Sequence, residues 1–263
     1  MKNLMLVLVL LAAINLSGQN YYVISIVGEI YAGEKMLSPK DRLSHDTQLR
    51  FVGAEASAYL MSPSKGYFVL SAKEIYPEGG KEFLVAVKNA LLPPSELKNT
   101  AIRAGFNADE HVTIEDHYDL LGFFRGTIAY LDTLVFELNE EFLPGEETRI
   151  EWVSTNGSDT LRRDLTLDGQ RFIMVWPQEL AEANANWEHQ IICHPWYVED
   201  EQEPYSFQIA TPAPEELRSE LAALREITEV ESDAAFVAEY ATPYVIMRYG
   251  KVHPGHLKGL VGE

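Results

Sequence analysis

The chain has 263 residues, 46% of them apolar, with only 17 Gly and 13 Pro, a composition that folds and that excludes a disordered or collagen-like polymer. Lys and Arg number 21 against 40 Asp and Glu, a net charge of −19, which argues against sequence-independent binding to nucleic acid or anionic lipid, since both need a cationic surface. One cysteine excludes an intramolecular disulfide framework and a zinc-ribbon pattern, and the length suits one large domain or two small ones.

Lys2 precedes an unbroken apolar run from Leu4 to Ile14, and the more polar exit Asn15-Leu16-Ser17-Gly18 follows. A positive start before roughly 7–15 apolar residues is the pattern of an export signal, and such a run is too short to cross a bilayer core of about 30 Å as a helix. Residues 1–18 are therefore read as a signal peptide cut before Gln19, and the loss of Lys2 takes the mature charge to −20. Gln19 stands where a lipid-anchored protein needs Cys. The mature chain is expected to be soluble, without a transmembrane segment, and periplasmic, extracellular or at the cell surface.

Residues 19–75 predict a small β-barrel. Tyr22, Val23, Ile24, Ile26 and Val27 form a β-branched and aromatic strand closed by Gly28 and Gly33. Leu49, Phe51 and Val52, then Ala54, Ala56, Ala58 and Leu60, recur with period two, as in a strand with one buried face. Pro63-Ser64-Lys65-Gly66 is a turn, and Tyr67-Phe68-Val69-Leu70 is the strand that leaves it.

The order Val27-Gly28-Glu29-Ile30, Leu37, Pro39-Lys40-Asp41-Arg42-Leu43, an alanine-rich strand and Gly66-Tyr67-Phe68-Val69-Leu70 resembles a FecR-type β module over residues 22–72. SH3-like bacterial barrels show much the same pattern. The family usually carries Gly-Asp before the leucine of its second element, where this chain has Lys40-Asp41. The signal exit into Gln19-Asn20-Tyr21-Tyr22 also resembles exported proteins of the Bacteroidota. These resemblances imply an envelope-associated regulator or scaffold that works by contact with other proteins.

Residues 76–110 predict a helix and a connector. Phe83, Leu84, Ala86, Val87, Ala90 and Leu91 fit an amphipathic helix over Lys81–Leu92, which Pro93-Pro94 ends. Residues 111–212 predict an antiparallel β-sandwich-like domain. Thr127–Leu138 is β-prone, Arg149–Val153 alternates, and Asn156-Gly157 is the strongest hairpin signal because both positions of a type I′ turn take positive φ. Leu161–Leu167 reads as the return strand, and Asp168-Gly169 turns into Phe172–Trp176, making one three-stranded meander. Glu188–Val198 and Tyr205–Ile209 add two strands around the acidic loop Glu199–Glu203. Residues 213–263 predict a helical pair: Pro214 starts a helix with Leu217, Leu221, Leu224 and Ile227 on one face, Ser232 or Asp233 caps a second, Pro243 interrupts it, and Gly250 ends it. The class expected is mainly β, α+β overall.

No catalytic constellation is legible. A phosphate-binding Gly-rich loop, a G-x-S-x-G elbow and H-E-x-x-H are all absent from the sequence. Cys193 lies beside His194, but adjacent strand residues face opposite ways, so that histidine is a poor base for a thiolate; a buried small hydrophobe is the better reading. Asp109, Glu110, His111, Glu115, Asp116, His117 and Asp119 are the densest collection of possible metal ligands. On a strand His111, Glu115 and His117 share a face, which suits zinc with an open position, yet the spacing matches no standard signature and a solvated acidic loop explains the same residues. His253 and His256 are weaker candidates. The acidic loop 199–203 lacks the alternating Asp/Asn and Gly of a calcium loop. No catalytic, metal or cofactor residue is therefore assigned. The expected function is a non-enzymatic interaction or scaffold protein that docks on another envelope protein. A secreted hydrolase, through His111, Glu115 and His117 or through Cys193, and a carbohydrate- or peptide-binding module are the alternatives.

Overall fold

The structure, a computed structural model, describes residues 20–75, 82–91, 112–114, 119, 122–131, 133–140, 149–157, 159–175, 187–194 and 206–261. The expected signal peptide, the Gly79-Gly80 and Pro93-Pro94 breaks, the candidate ligands His111, Glu115 and His117, and the acidic loop 199–203 lie outside the described residues. The chain is mainly β with a helical C-terminal region, and it divides into two compact units: Met1–Ser95 with Ala222–Glu229, and Glu96–Leu221 with Val230–Glu263.

The first unit is organised by two long antiparallel strands, β1 (Asn20–Ala32) and β4 (Gln48–Ser62). Their register shifts between Val23 and Ser25 and again between Val27 and Glu29. The sequence of β4 carries the mark of this bend. Leu49 and Phe51 point inward at odd positions and Ala56, Ala58 and Leu60 at even ones, because the side-chain phase slips around Gly53, whose φ is +88°. Gly28 in β1 has φ +74°, and a Cβ there would lie 3.2 Å from the Cα of Ala56. The small residues of β4 are thus where the two strands pass closest.

Among the described residues, β2 (Lys35–Met36) and β3 (Arg42–Ser44) pair only with β1, while β5 (Gly66–Ser71) and β6 (Glu82–Ala86) pair only with β4. The expected barrel is therefore not closed among the described residues: strands of two and three residues on one side do not reach the opposite edge. The expected helix over Lys81–Leu92 is also corrected. Residues Glu82–Ala86 form the strand β6 on β4, and helix is confined to the turn Val87–Ala90. The same apolar residues satisfy both periods over so short a run, and pairing with β4 decides between them. Tyr21, Val23, Leu49, Phe51, Leu60 and Leu70 anchor one buried cluster. Each such side chain contributes about 1.5–3 kcal/mol relative to exposure.

The second unit holds two sheets. One has the order β11 (Asp159–Asp164), β10 (Arg149–Asn156), β14 (Glu188–His194), β15 (Ser206–Ala210), β8 (Gly126–Ala129); the other has β12 (Thr166–Asp168), β13 (Arg171–Met174), β9 (Leu134–Leu138), β7 (Val112–Ile114). Ile128, Ile150, Trp152, Ile191 and Phe207 of the first sheet share a single buried cluster with Leu134, Phe136, Phe172 and Met174 of the second, a sandwich-like arrangement. Phe136 is its hub, with ring centroids 4.9 Å from Phe123 and 5.7 Å from Phe172. The expected all-antiparallel pairing is corrected: β15 and β8, and β7 and β9, pair parallel, because β8 and β7 are joined to those neighbours through distant segments and not through hairpins.

Two local readings are corrected. The hairpin loop falls one residue later than Asn156-Gly157, because Asn156 pairs with Asp159 and Gly157 takes the first positive-φ position at +60°. The three-stranded meander does not form: after β11 the chain crosses at Leu165, whose N–H donates to the Ile150 carbonyl at 2.8 Å, into β12 of the other sheet. The crossing lets Phe172 and Met174 line the far wall of the core that Ile150 and Trp152 line from the near side. The β-prone stretch Thr127–Leu138 is strand at both ends, in β8 and β9, which belong to different sheets.

Helix Pro214–Thr228 buries Leu217, Leu221 and Leu224 on one stripe, as the spacing predicts. Ser232 caps the next helix, its Oγ accepting from Ala235 N–H at 3.4 Å. Pro243 does not interrupt that helix. Residues Val237–Ala241 form a π-helical turn, Thr242 N–H reaches back to the Val237 carbonyl, and helix continues over Thr242–Tyr249. The wide turn absorbs the donor that proline lacks. After Gly250 a third helix follows, Pro254–Val261. Among the described residues no helix is long and apolar enough to cross a membrane.

Candidate functional site

Of the residues singled out in the sequence, the structure brings together His253 and His256. Cys193 and His194 occupy successive positions of β14, where their backbones pair with Ile150 and Arg149. Among the described residues there is no group of three or more His, Cys, Asp or Glu side chains able to hold a metal.

The histidine pair belongs to a C-terminal tie. Gly250 has φ +107°, and its backbone passes so near β8 that a Cβ would sit 2.3 Å from the Thr127 carbonyl oxygen. That approach lets Lys251 add a parallel bridge to Ile128: Lys251 N–H donates to Thr127 O at 2.8 Å, and Ala129 N–H donates to Lys251 O at 2.7 Å. The buried Lys251 ammonium donates to the carbonyls of Gly122 at 2.6 Å and Phe123 at 3.3 Å. Burial, with Arg125 as a second cause, lowers its pKa to about 8. Two residues on, His253 Nδ1 accepts from Gly255 N–H at 3.2 Å, and His256 donates from Nε2 to the Thr133 carbonyl at 2.9 Å, with the two rings 5.0 Å apart. These bonds fix both tautomers and fasten the C-terminal segment to the corner between β8 and β9. Two imidazoles alone fall short of the three protein ligands of a catalytic zinc site.

A second polar group holds helix Pro214–Thr228 to helix Thr242–Tyr249. Glu220 is 4% exposed, yet it accepts from the Tyr249 hydroxyl at 2.8 Å and lies 3.7 Å from the Arg248 guanidinium, which also donates to Glu216 at 3.3 Å. Burial first, and the Glu220 charge second, push the hydroxyls of Tyr249 and Tyr244 above the usual phenol range, so both stay protonated donors.

The third group was not foreseen from the sequence. Register places Ser154 of β10 opposite His189 of β14. The Ser154 hydroxyl lies 2.8 Å and the Trp152 indole N–H 3.3 Å from His189 Nδ1, and the ring packs on Phe207 at 5.4 Å. Burial lowers the His189 pKa to about 4, so the ring is neutral and Nδ1 serves as the acceptor for both donors. A hydroxyl beside an imidazole is also the arrangement of a nucleophile and its base. Here Ser154 is 1% and His189 2% exposed, so no substrate reaches them, and the pair satisfies buried polar groups. The only sequence signal for it is the period-two placement of Trp152 and Ser154 on one face of a strand.

Charge is unevenly divided along the chain. The residues of the first unit include ten acidic and ten basic side chains, whereas those of the second include thirty acidic and eleven basic, so the whole balance of −19 resides in the second unit. No protein-family model, curated protein or solved structure matches this chain.

Proposed function

We propose that this is an exported, non-enzymatic interaction protein of the bacterial cell envelope, which docks on another envelope protein through a basic surface of that partner. The observation that carries the reading is the charge partition: a unit with thirty acidic and eleven basic residues attracts a basic partner over a distance, while the other unit, once Lys2 is removed, has ten acidic and nine basic residues. The consumption of Glu220, His189 and Lys251 in internal contacts supports the same reading, since these buried titratable groups are spent on holding the fold. The first unit is read as the FecR-like or SH3-like β module, on the motif order from Val27 to Leu70, and export is read from Lys2 and the apolar run Leu4–Ile14.

The test is cross-linking in the native host with a C-terminal tag, followed by envelope fractionation and mass spectrometry of what co-purifies. A stoichiometric envelope partner with a basic surface is expected, together with a mature N-terminus at Gln19. A soluble species without a reproducible partner, or a chain that retains residues 1–18 in the cytosol, contradicts the proposal.

A further inference from the structure

The turn between β10 and β11 carries the only Asn-Gly pair of the chain, Asn156-Gly157. Both residues are exposed, and Gly157 has φ +60° with nothing within 4 Å of the position a Cβ would take. Asn156 pairs with Asp159 in the last rung of the β10–β11 ladder. A terminal rung beside an exposed turn opens at little free-energy cost. Asparagine is a chemically labile side chain, because its amide carbon lies one ring closure away from the backbone nitrogen of the next residue. Glycine has no side chain to obstruct that approach. Asn139, by contrast, is followed by Glu140.

We propose that Asn156 is a site of spontaneous covalent conversion, at which the turn remodels itself into aspartate and isoaspartate. The Gly157 nitrogen attacks Cγ of Asn156, a C–N bond forms, and the Cγ–Nδ2 bond breaks. Ammonia leaves with the proton of the Gly157 N–H, and a five-membered imide remains. Water then opens the ring. Cleavage at Cγ yields ordinary aspartate. Cleavage at the backbone carbonyl carbon of Asn156 yields isoaspartate, with the chain running through the former side chain. Both products carry one negative charge more than asparagine. Hydroxide favours the first step, because it removes the Gly157 proton.

Isoaspartate adds one carbon to the backbone of β10 at the rung that sets the hairpin register. Among the described residues β11 pairs only with β10, and five of its six residues are exposed. It is held by that ladder, by Leu161 against the core, and by Arg162, which donates to the buried carboxylate of Glu151 at 3.2 Å. Conversion therefore loosens β11 from the turn inward, whereas β13 belongs to the other sheet and keeps its pairing. This inference is independent of the docking proposal, because it concerns the chemistry of one turn and needs no partner.

The test incubates the full folded chain at physiological temperature and maps its peptides by mass spectrometry. An acid is expected in place of the amide at Asn156, and an isoaspartate-specific methyltransferase should label this turn. Conversion should rise in proportion to hydroxide from mildly acidic to mildly alkaline buffer, while Asn139 stays intact. Asn156→Gln, which would need a six-membered ring, should lose the label at this turn. Hydrogen exchange of the converted chain should accelerate in β11 and stay unchanged in β13. An Asn156 that remains intact in alkaline buffer overturns the proposal. So does equal conversion of Asn139, a label that persists at this turn in Asn156→Gln, or β11 exchange that is the same before and after conversion.

Discussion

His189 is the residue whose environment has the clearest consequence in solution. Its imidazole is buried and neutral with a pKa near 4, against an ordinary value of 6.5, so below about pH 6.5 the unfolded chain takes up a proton that the folded one refuses. The stability it contributes is complete above pH 6.5 and is lost as pH falls from there toward 4, by about 2–3 kcal/mol in all. Thermal melts of the wild type and His189→Gln between pH 7.5 and 4.5 should diverge, the wild type losing more; parallel curves contradict the assignment. Glu220 gives a second expectation. Glu220→Gln keeps the shape and removes the buried charge facing Arg248, whose side chain is 14% exposed, and is expected to cost about 3 kcal/mol in urea unfolding. A loss below about 0.5 kcal/mol, the range of an exposed pair, contradicts it. Neither group was legible in the sequence, because Ser154 and His189, or Glu220 and Tyr249, meet only through strand register and helix packing across long separations. The Ser232 cap was legible because its partner, Ala235, is three residues away.

The same distinction between local and distant causes operates in the elements. Helix Pro214–Thr228 follows from its own leucine spacing, and the turns at Gly157 and Gly169 follow from glycines at positive φ, although the first loop lies one residue beyond its Asn-Gly signal. β6 was read as helix because its pairing with β4 is absent from the local pattern, and the meander was misread because nothing near Leu165 announces that the chain must reach the opposite sheet. Pro243 was read as a break because the π turn that accommodates it begins six residues earlier, at Val237. Gly250 offers a test of the C-terminal tie. Gly250→Ala would press a methyl group against the Thr127 carbonyl at a φ of +107°, so the Lys251 bridge should detach, at a cost of more than about 2 kcal/mol. Amide exchange at Ala129, which donates to Lys251, should accelerate in the variant, and unchanged protection there contradicts the account.

At the scale of the whole molecule, the mainly β class and the C-terminal helices were legible because alternation and leucine spacing are strong over long windows. The open form of the first sheet was not, since closure depends on whether short strands reach one another. The total of −19 conceals a partition that lies almost wholly between residues 1–95 and the rest of the chain; Ala222–Glu229, where Glu226 meets Lys40 at 2.6 Å, adds only two acidic and one basic residue to the first unit. That partition makes the central claim, docking of an acidic unit on a basic envelope partner, directly measurable. The tagged mature chain is used to capture its partner from solubilised envelopes at about 20 mM and about 150 mM salt, where the Debye length shortens to about 8 Å. Recovery of one basic partner that falls steeply over this range is the predicted result. Recovery indifferent to salt, or no partner at low salt, would contradict the claim.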